Sequence, residues 1–429
     1  MEKIRIGVLG LYRGTSMIKF CAACEQVELV AICDKWEEGV ARKKHQLRDS
    51  NITFYTTFDE FINHPMDAVV LANYATEHAP FAIRCLQKGL HVFSEVLPVQ
   101  TMQEAVQLVE AVEESGKIYA YGENYCYMTA PREMRKLYRA GKIGEFEYGE
   151  GEYIHNCSPI WHSLTYGDPN HWRNLMYATY YCTHSLGPIV HITGLRPVRV
   201  TGFEGTNNQR NLSVGRKGGQ FGIEMVEMEN GAIVKSIHGD LYRDSVWYTL
   251  YGSKGRLESG RWSHAEDEGI LHTDMDDYPG QNKKREESCR SYHPVSAFAE
   301  QEANFGHGGS DFHSMYNFVR KILGDPEADI IDVYEALDMS LPGLFAYRSI
   351  LAGGIPMDIP DLRNKEIRDT WRDDIACTDP QVAGDRLLPA MAAGTPAIDE
   401  KVYAIQREKW DTELKSGVGR SAAFLGKDK

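Results

Sequence analysis

The sequence predicts an α/β chain, with an N-terminal Rossmann domain on a parallel sheet and a second α/β domain on an open, mainly antiparallel sheet. Three observations predict it. Residues 1–125 alternate short apolar runs with amphipathic stretches, as βαβ units do. The first run passes into a glycine-rich turn, Gly7-Val8-Leu9-Gly10-Leu11-Tyr12-Arg13-Gly14-Thr15. Beyond Glu123 the pattern changes to alternating segments divided by Gly, Asn and Asp turns.

The parallel strands read as Ile4–Leu9, Val27–Cys33, Ala68–Ala72, Leu90–Ser94 and Ile118–Tyr121, each apolar on both faces, as a sheet covered on both sides requires. Helices lie between them; Ala105, Leu108, Val109 and Val112 keep helical spacing. The second domain shows alternation over Glu147–Tyr153, Val198–Gly202, Gly222–Met228, Ala232–His238 and Trp247–Tyr251. Glu229-Asn230-Gly231 marks a hairpin. Helices are expected at Gly309–Leu323 and Val333–Ala352, set against an antiparallel sheet. From about Pro360 the apolar period weakens and charge, Pro and Ala increase. The expected domains are therefore 1–125, 126–360 and a C-terminal arm, 361–429, irregular or helical and wrapping a partner subunit.

A chain of 429 residues exceeds what one core usually organises. A formal charge of −14 excludes nucleic acid and anionic membrane surfaces as partners, because both need a basic face. The clusters Lys43-Lys44 and Lys283-Lys284-Arg285 are too short to restore one. The acidic runs Glu266-Asp267-Glu268 and Asp274–Asp277 read as solvated loops. No apolar run approaches the roughly 20 residues that span a bilayer. The first residues enter a strand at once, without a signal-peptide pattern. Nine scattered cysteines suit reduced thiols and a cytoplasmic setting. Cys21 and Cys24 form a CxxC inside what reads as the first helix, which favours a structural role over redox or zinc chemistry.

The glycine turn between strand and helix suits a pyrophosphate, received by backbone N–H groups and the helix dipole. Gly10, Tyr12, Arg13 and Gly14 are the expected contacts. Asp34, at the end of the second strand, is placed to bind the adenosine ribose hydroxyls and to repel a 2′-phosphate, so the expected cofactor is NAD. Tyr12 stands where the middle glycine of GxGxxG would be, and the turn is one residue short.

Further segments resemble the Gfo/Idh/MocA family. They are Asn73–His78, then Gly89-Leu90-His91-Val92-Phe93-Ser94-Glu95-Val96-Leu97-Pro98 in place of a strand ending in Glu-Lys-Pro, then Thr183-His184-Ser185-Leu186-Gly187-Pro188. The lysine is missing: Val96 follows Glu95, and Leu97 is an extra departure. One branch that also lacks it is the NAD-dependent glycosidases typified by α-N-acetylgalactosaminidases. Its motifs resemble Glu123-Asn124-Tyr125-Cys126-Tyr127, Tyr153-Ile154-His155-Asn156, Trp172-Arg173 and His307-Gly308-Gly309-Ser310-Asp311, in that order. The resemblance covers residues 1 to about 360.

The resemblance implies that bound NAD transiently oxidises a sugar at C3, acidifying the C2 proton. A base removes that proton, the C1 substituent leaves, water adds and the hydride returns. It also implies that Asn73, His78, Glu95 and Asn124 face the cofactor. His184 is the expected main acid/base, since imidazole titrates near working pH, with Tyr180 or Tyr181 as second base. Glu123 binds sugar hydroxyls or the nicotinamide side, or else caps a helix. Trp172 offers a face for sugar stacking, Arg173 holds an anionic or hydroxyl-rich group, and Tyr127, His155 and His307 complete the substrate pocket. His155, Cys157, His162, His171 and His184 raise the question of a metal, but their spacing fits no closed zinc pattern, and none is expected. A simple NAD-dependent sugar or polyol dehydrogenase is the alternative function, and a sensor with Tyr12 blocking the nucleotide a third reading. Retained His184 and the His307–Asp311 motif argue against the sensor. A homodimer or homotetramer through the open sheet face is expected from the resemblance.

Overall fold

The computed structural model describes residues 3–261, 268–275 and 288–416. The Lys283-Lys284-Arg285 cluster lies outside the described residues, as do Glu266 and Asp267 of one acidic run and Asp276 and Asp277 of the other. Six strands form the first sheet: β1 (Ile4–Leu9), β2 (Val27–Cys33), β3 (Thr53–Tyr55), β4 (Ala68–Leu71), β5 (His91–Ser94) and β6 (Tyr119–Tyr121). They run in the order β3-β2-β1-β4-β5-β6, with every pair parallel. The order reverses between β1 and β4, and ligands of such sheets bind beyond the strand ends at that switch. Gly10 sits there with φ +102°, and a Cβ on it would run into the Ala72 carbonyl oxygen. Only glycine fits both demands. β3 escapes the periodicity because three half-exposed residues carry no readable pattern.

The helices His78–Gln87 and Met102–Ser115 cover one face of this sheet. The second begins on a capping-box pattern: Thr101 Oγ1 accepts from Glu104 N, while the Glu104 carboxylate accepts from Gln100 N. The helix Thr15–Ala23 covers the other face and buries Cys21, so the CxxC is part of the core. Beside it packs a helix from far along the chain, Ser310–Ile322, contributing Phe312, Met315, Phe318 and Val319. Each such side chain contributes about 2 kcal/mol by leaving water. Expected as part of 126–360, this helix thus completes the core of the N-terminal sheet. Helical spacing reports which face is buried, not which sheet buries it.

The second sheet contains β7 (Phe146–Ile154), β8 (Pro197–Glu204), β9 (Phe221–Met228), β10 (Ile233–Gly239), β11 (Ser245–Gly252), β12 (Gly255–Ser259), β13 (Leu271–Met275), β14 (Cys289–Tyr292) and β15 (Met357–Asp358). Their order is β14-β13-β12-β11-β7-β10-β9-β8-β15. The β9–β10 hairpin turns at Glu229-Asn230-Gly231. One pair departs from antiparallel: β7 and β10 run parallel, so the sheet is mixed. Alternation fixes the buried face of a strand but not its direction. The helices Cys182–Thr193 and Val333–Leu351 pack on one face; the other is open.

Up to Ser416, the C-terminal segment folds back on its own chain. Its helix Lys365–Trp371 packs on Met102–Ser115, with buried Arg368 bound bidentately to Glu113 at 2.7 and 2.6 Å. Arg372 does the same with Glu110. The last helix, Glu400–Ser416, lies on the short helix Trp161–Thr165. The arm therefore wraps its own chain. Arginine–carboxylate forks hold part of it, which is why its apolar period is weak.

Candidate functional site

A cleft opens over the carboxyl ends of β1 and β4, in two cavities of about 570 and 400 Å³. Both are lined by Tyr12, Arg13, Asn73, Leu164, Trp172 and Arg173, so they form one continuous space. Each lies in the range of small-molecule sites.

The larger half is built from successive βα turns. β1 ends at Leu9, and Asp34 closes the glycine turn by accepting from Leu11 N at 2.7 Å and Trp36 N at 2.9 Å. Burial raises the Asp34 pKa, and these two N–H groups oppose the rise. Gly14 precedes the helix Thr15–Ala23, leaving Tyr12 and Arg13 to face the cleft. Two buried polar atoms on the cleft wall, Asn73 Oδ1 and Trp172 Nε1, have no hydrogen-bond partner among the described residues. Such orphans are what a polar ligand satisfies. The turn, Asp34 and these orphans fit a dinucleotide.

The smaller half is centred on His184, in the first turn of Cys182–Thr193. The helix backbone comes close to β7 because Gly151 has no Cβ; one there would overlap the Ser185 carbonyl oxygen. The Tyr248 hydroxyl donates to the His184 carbonyl at 2.6 Å. His184 Nδ1 lies 2.8 and 3.0 Å from the two oxygens of Glu123. Thr183 Oγ1 and Tyr125 N also donate to that carboxylate, at 2.8 and 3.2 Å. With Glu123 as acceptor, Nδ1 carries the proton and Nε2 is left as the basic nitrogen of a residue on the cavity wall. The rings of Tyr125 and Tyr153 lie 4.6 Å from the imidazole, and Tyr181 lies at 5.3 Å. Burial raises the Tyr181 hydroxyl pKa, against the pull of Arg173.

A polar cluster fastens the two halves of the chain. Arg13 donates to Asp311 through both terminal nitrogens, at 2.8 and 2.7 Å, and lies 2.9 Å from Glu95. Asn124 Nδ2 and His307 Nδ1 reach the same Asp311 at 3.3 and 3.2 Å. Burial disfavours the Asp311 charge, but Arg13 and His307 outweigh it and hold the pKa well below the carboxylate range. Burial instead carries Glu95 up to about 6, with Arg13 opposing. His307, Gly308 and Gly309 all have positive φ, in the bend that precedes Asp311 and its contact with Arg13.

Against this geometry the sequence comparisons are decisive. Residues 4–123 match the oxidoreductase family with an NAD-binding Rossmann fold, Gfo/Idh/MocA. Residues 204–369 match the C-terminal domain of glycosyl hydrolase 109. The chain joins a Gfo/Idh/MocA Rossmann domain to a glycosyl hydrolase 109 C-terminal domain. It is an enzyme of the NAD-dependent oxidoreductase type. A glycosyl hydrolase family 109 protein of Solibacter usitatus is 25% identical over 395 residues, covering 83% of this chain and 88% of that one. An α-N-acetylgalactosaminidase of Shewanella oneidensis is 24% identical over 394 residues, covering 84% and 85%. Among solved structures, the WlbA dehydrogenase of Bordetella pertussis, in complex with NADH and UDP-GlcNAcA, superposes with a TM-score of 0.67 at 19% identity. It covers 84% of this chain and 98% of that one. Myo-inositol 2-dehydrogenase of Lactobacillus plantarum gives 0.62 at 19% identity, covering 84% and 100%.

Within this two-domain enzyme, most of the residues singled out from sequence line the cleft. Gly10, Tyr12, Arg13, Asp34 and Asn73 do so in the larger half. Glu95, Asn124, His155, Trp172, Arg173, Tyr181, His184 and His307 do so in the smaller one. Five residues do not. Gly14 is buried within the turn, where a Cβ would overlap the Gly10 carbonyl oxygen, so it shapes the turn rather than its wall. His78 is buried on its helix, with Nδ1 on the Leu97 carbonyl at 2.9 Å, so it supports the Glu95–Leu97 turn from behind. Tyr127 is buried and donates to the Asp329 carbonyl at 2.8 Å. Glu123 is fully buried behind His184, where its carboxylate faces the imidazole and caps the 3-10 turn Asn124–Tyr127 through Tyr125 N, the capping alternative. Tyr180 packs with Tyr177 in an apolar cluster, leaving Tyr181 as the cleft tyrosine. The Arg173 guanidinium lies 4.5 Å from the Trp172 ring centre, occupying a face expected to stack on sugar.

Other wall residues carried no signal of their own. His238 lies on β10, Asp240 just after it and Arg216 before β9, and Tyr153 and Asp311 were legible only inside motifs. The histidines of 155–184 are engaged separately. His155 meets Asp244, His162 meets Glu413, His171 caps Arg173 N and His184 meets Glu123. Among the described residues no three His, Cys, Asp or Glu side chains gather as metal ligands.

Proposed function

We propose that the enzyme cleaves a glycoside through a redox-neutral cycle, with His184 as its main acid/base. The observation that carries this is the Glu123–His184 pair, which places a basic Nε2 on the cleft wall just beyond the nucleotide half. NAD, when bound, accepts a hydride from a sugar carbon and later returns it. His184 takes the proton of the hydroxyl being oxidised and gives it back at the end of the cycle. Glu123 keeps the imidazole in the right tautomer and stabilises it when protonated. Once the ring carries a ketone, a second base removes the adjacent C–H proton and the C1 substituent departs. Tyr181, kept protonated by burial, is suited to donate a proton to the leaving oxygen. Water adds in its place, so the net reaction is hydrolysis. Val96 leaves an apolar side chain where a dehydrogenase of this fold has lysine, and the cavity around it contains Tyr153 and Tyr181 instead.

A glycoside of an amino sugar is the substrate class that the Shewanella relative suggests. The open face of the second sheet exposes Phe203, Met225 and Tyr251 along three strands, which suits pairing with a second copy. All nine cysteines are free, as in the reducing cytoplasm. Among the described residues no helix is long and apolar enough to cross a membrane. The test is to purify the protein without added cofactor, assay the nucleotide released on denaturation, and incubate native enzyme with nitrophenyl glycosides. Aglycone release without NADH accumulation is expected. Stoichiometric NADH formation dependent on added NAD would identify a plain dehydrogenase.

A further inference from the structure

The C-terminal helix, Glu400–Ser416, buries a single stripe, Tyr403, Gln406 and Trp410, spaced at i, i+3 and i+7. The most C-terminal of these, Trp410, lines the larger half of the cleft together with Asp34, Trp36 and Tyr166. Trp410 and Tyr166 lie 5.0 Å apart, ring centre to ring centre. Tyr166 holds φ +57°, a left-handed conformation that non-glycine residues rarely adopt and that costs about 1 kcal/mol. Polar contacts on either side fix the arrangement. His162 Nε2 meets Glu413 at 2.7 Å, Arg407 Nη2 donates to the Gly167 carbonyl at 3.1 Å, and the Tyr403 hydroxyl donates to the Gly215 carbonyl at 3.2 Å. A strained residue and a terminal helix are thus held where their rings wall the side of the cleft that contains Asp34.

We infer that Trp410 and Tyr166 form an aromatic binding surface for the adenosine moiety of NAD, supplied by the last helix of the chain. The chemistry is simple. The side of the cleft that binds the ribose must also receive the adenine, whose π-face gains from aromatic neighbours whatever hydrogen bonds it makes. Asp34 marks the ribose end; Trp36, Tyr166 and Trp410 line the same cavity, as do Phe58, Tyr74, Phe81 and Trp172, and among these Trp410 is the ring the tail supplies. Because Tyr166 and Trp410 lie beyond residues 1–125, NAD release requires breaking contacts outside the Rossmann domain. The inference concerns cofactor retention and is independent of the net reaction.

The test uses full-length Trp410→Phe and Trp410→Leu. Leucine keeps an apolar plug without a π-face, so both variants preserve burial. Binding of ADP, and separately of nicotinamide mononucleotide, is measured by calorimetry on protein stripped of nucleotide, with NAD dissociation followed by fluorescence. The expected result is about a tenfold weaker ADP affinity and faster NAD release for Trp410→Leu, with nicotinamide mononucleotide unchanged and Trp410→Phe near wild type. Wild-type ADP affinity in Trp410→Leu would overturn the assignment. So would equal loss for both half-nucleotides, which would mark general loosening of the cleft.

Discussion

The larger half of the cleft takes most of its wall from the turns after β1, β2, β3 and β4, all within the first 81 residues. The smaller half gathers side chains from segments as distant as Arg13 and Asp311, 298 positions apart, and around a histidine whose partner is 61 positions away. A parallel sheet delivers consecutive turns to one edge, so a cofactor site arises from repetition of a single unit. The proposed reactive centre has no such repetition. It needs a base, the carboxylate that orients it and rings that exclude water, and each comes from whichever element reaches that point. The difference teaches that the two halves should fail independently, except through the Arg13–Glu95–Asp311 cluster.

Several variants break or sharpen that contrast. His184→Ala should lower kcat by about a thousand-fold while leaving NAD content unchanged, and Glu123→Gln by about a hundred-fold through loss of imidazole orientation. Steady-state rates beside nucleotide assays on the same preparations check both; parallel loss of NAD would mean the halves are not separable. Asp311→Asn strikes the junction: Arg13 keeps Glu95 but loses the carboxylate it holds through both terminal nitrogens, and Asn124 and His307 lose the charge they reach. A destabilisation of about 3 kcal/mol is expected in urea unfolding, together with weaker NAD binding. Asp34→Ala should weaken NAD binding about tenfold and narrow its preference over NADP, since the carboxylate that repels a 2′-phosphate is gone. Titration with both nucleotides checks this.

The smallest effect lies at the rim of the reactive half. Burial alone would lower the His155 pKa, but Cys157 and Asp244 outweigh it and carry it to about 9. The folded value lies above the unfolded one of about 6.5. Its stabilisation is therefore complete below about pH 6.5 and lost as pH rises through about 9. Thermal unfolding between pH 6 and 9.5 should show a decline in wild type that Asp244→Asn reduces.

Much of this was legible from the chain alone because the underlying signals are local. Apolar runs between amphipathic stretches gave five of the six parallel strands, and the glycine turn with Asp34 belongs to neighbouring βα units. The ordered motifs around Glu95, Glu123, His184 and His307 marked the reactive half by resemblance. Roles were harder to read than positions. Glu123, His78 and Tyr127 stand in or beside such motifs, yet all three are buried off the cleft.

What the sequence by itself determined is the βαβ succession, the cofactor turn and the set of residue types available for acid–base chemistry. What only the tertiary structure decided is which carboxylate backs His184, which helix closes the N-terminal sheet, and that the tail folds home to place Trp410 against the nucleotide half. The reason is physical. Periodicity and turn chemistry record the surroundings of a residue within its own element, whereas contacts across 60 to 300 positions leave no spacing to read.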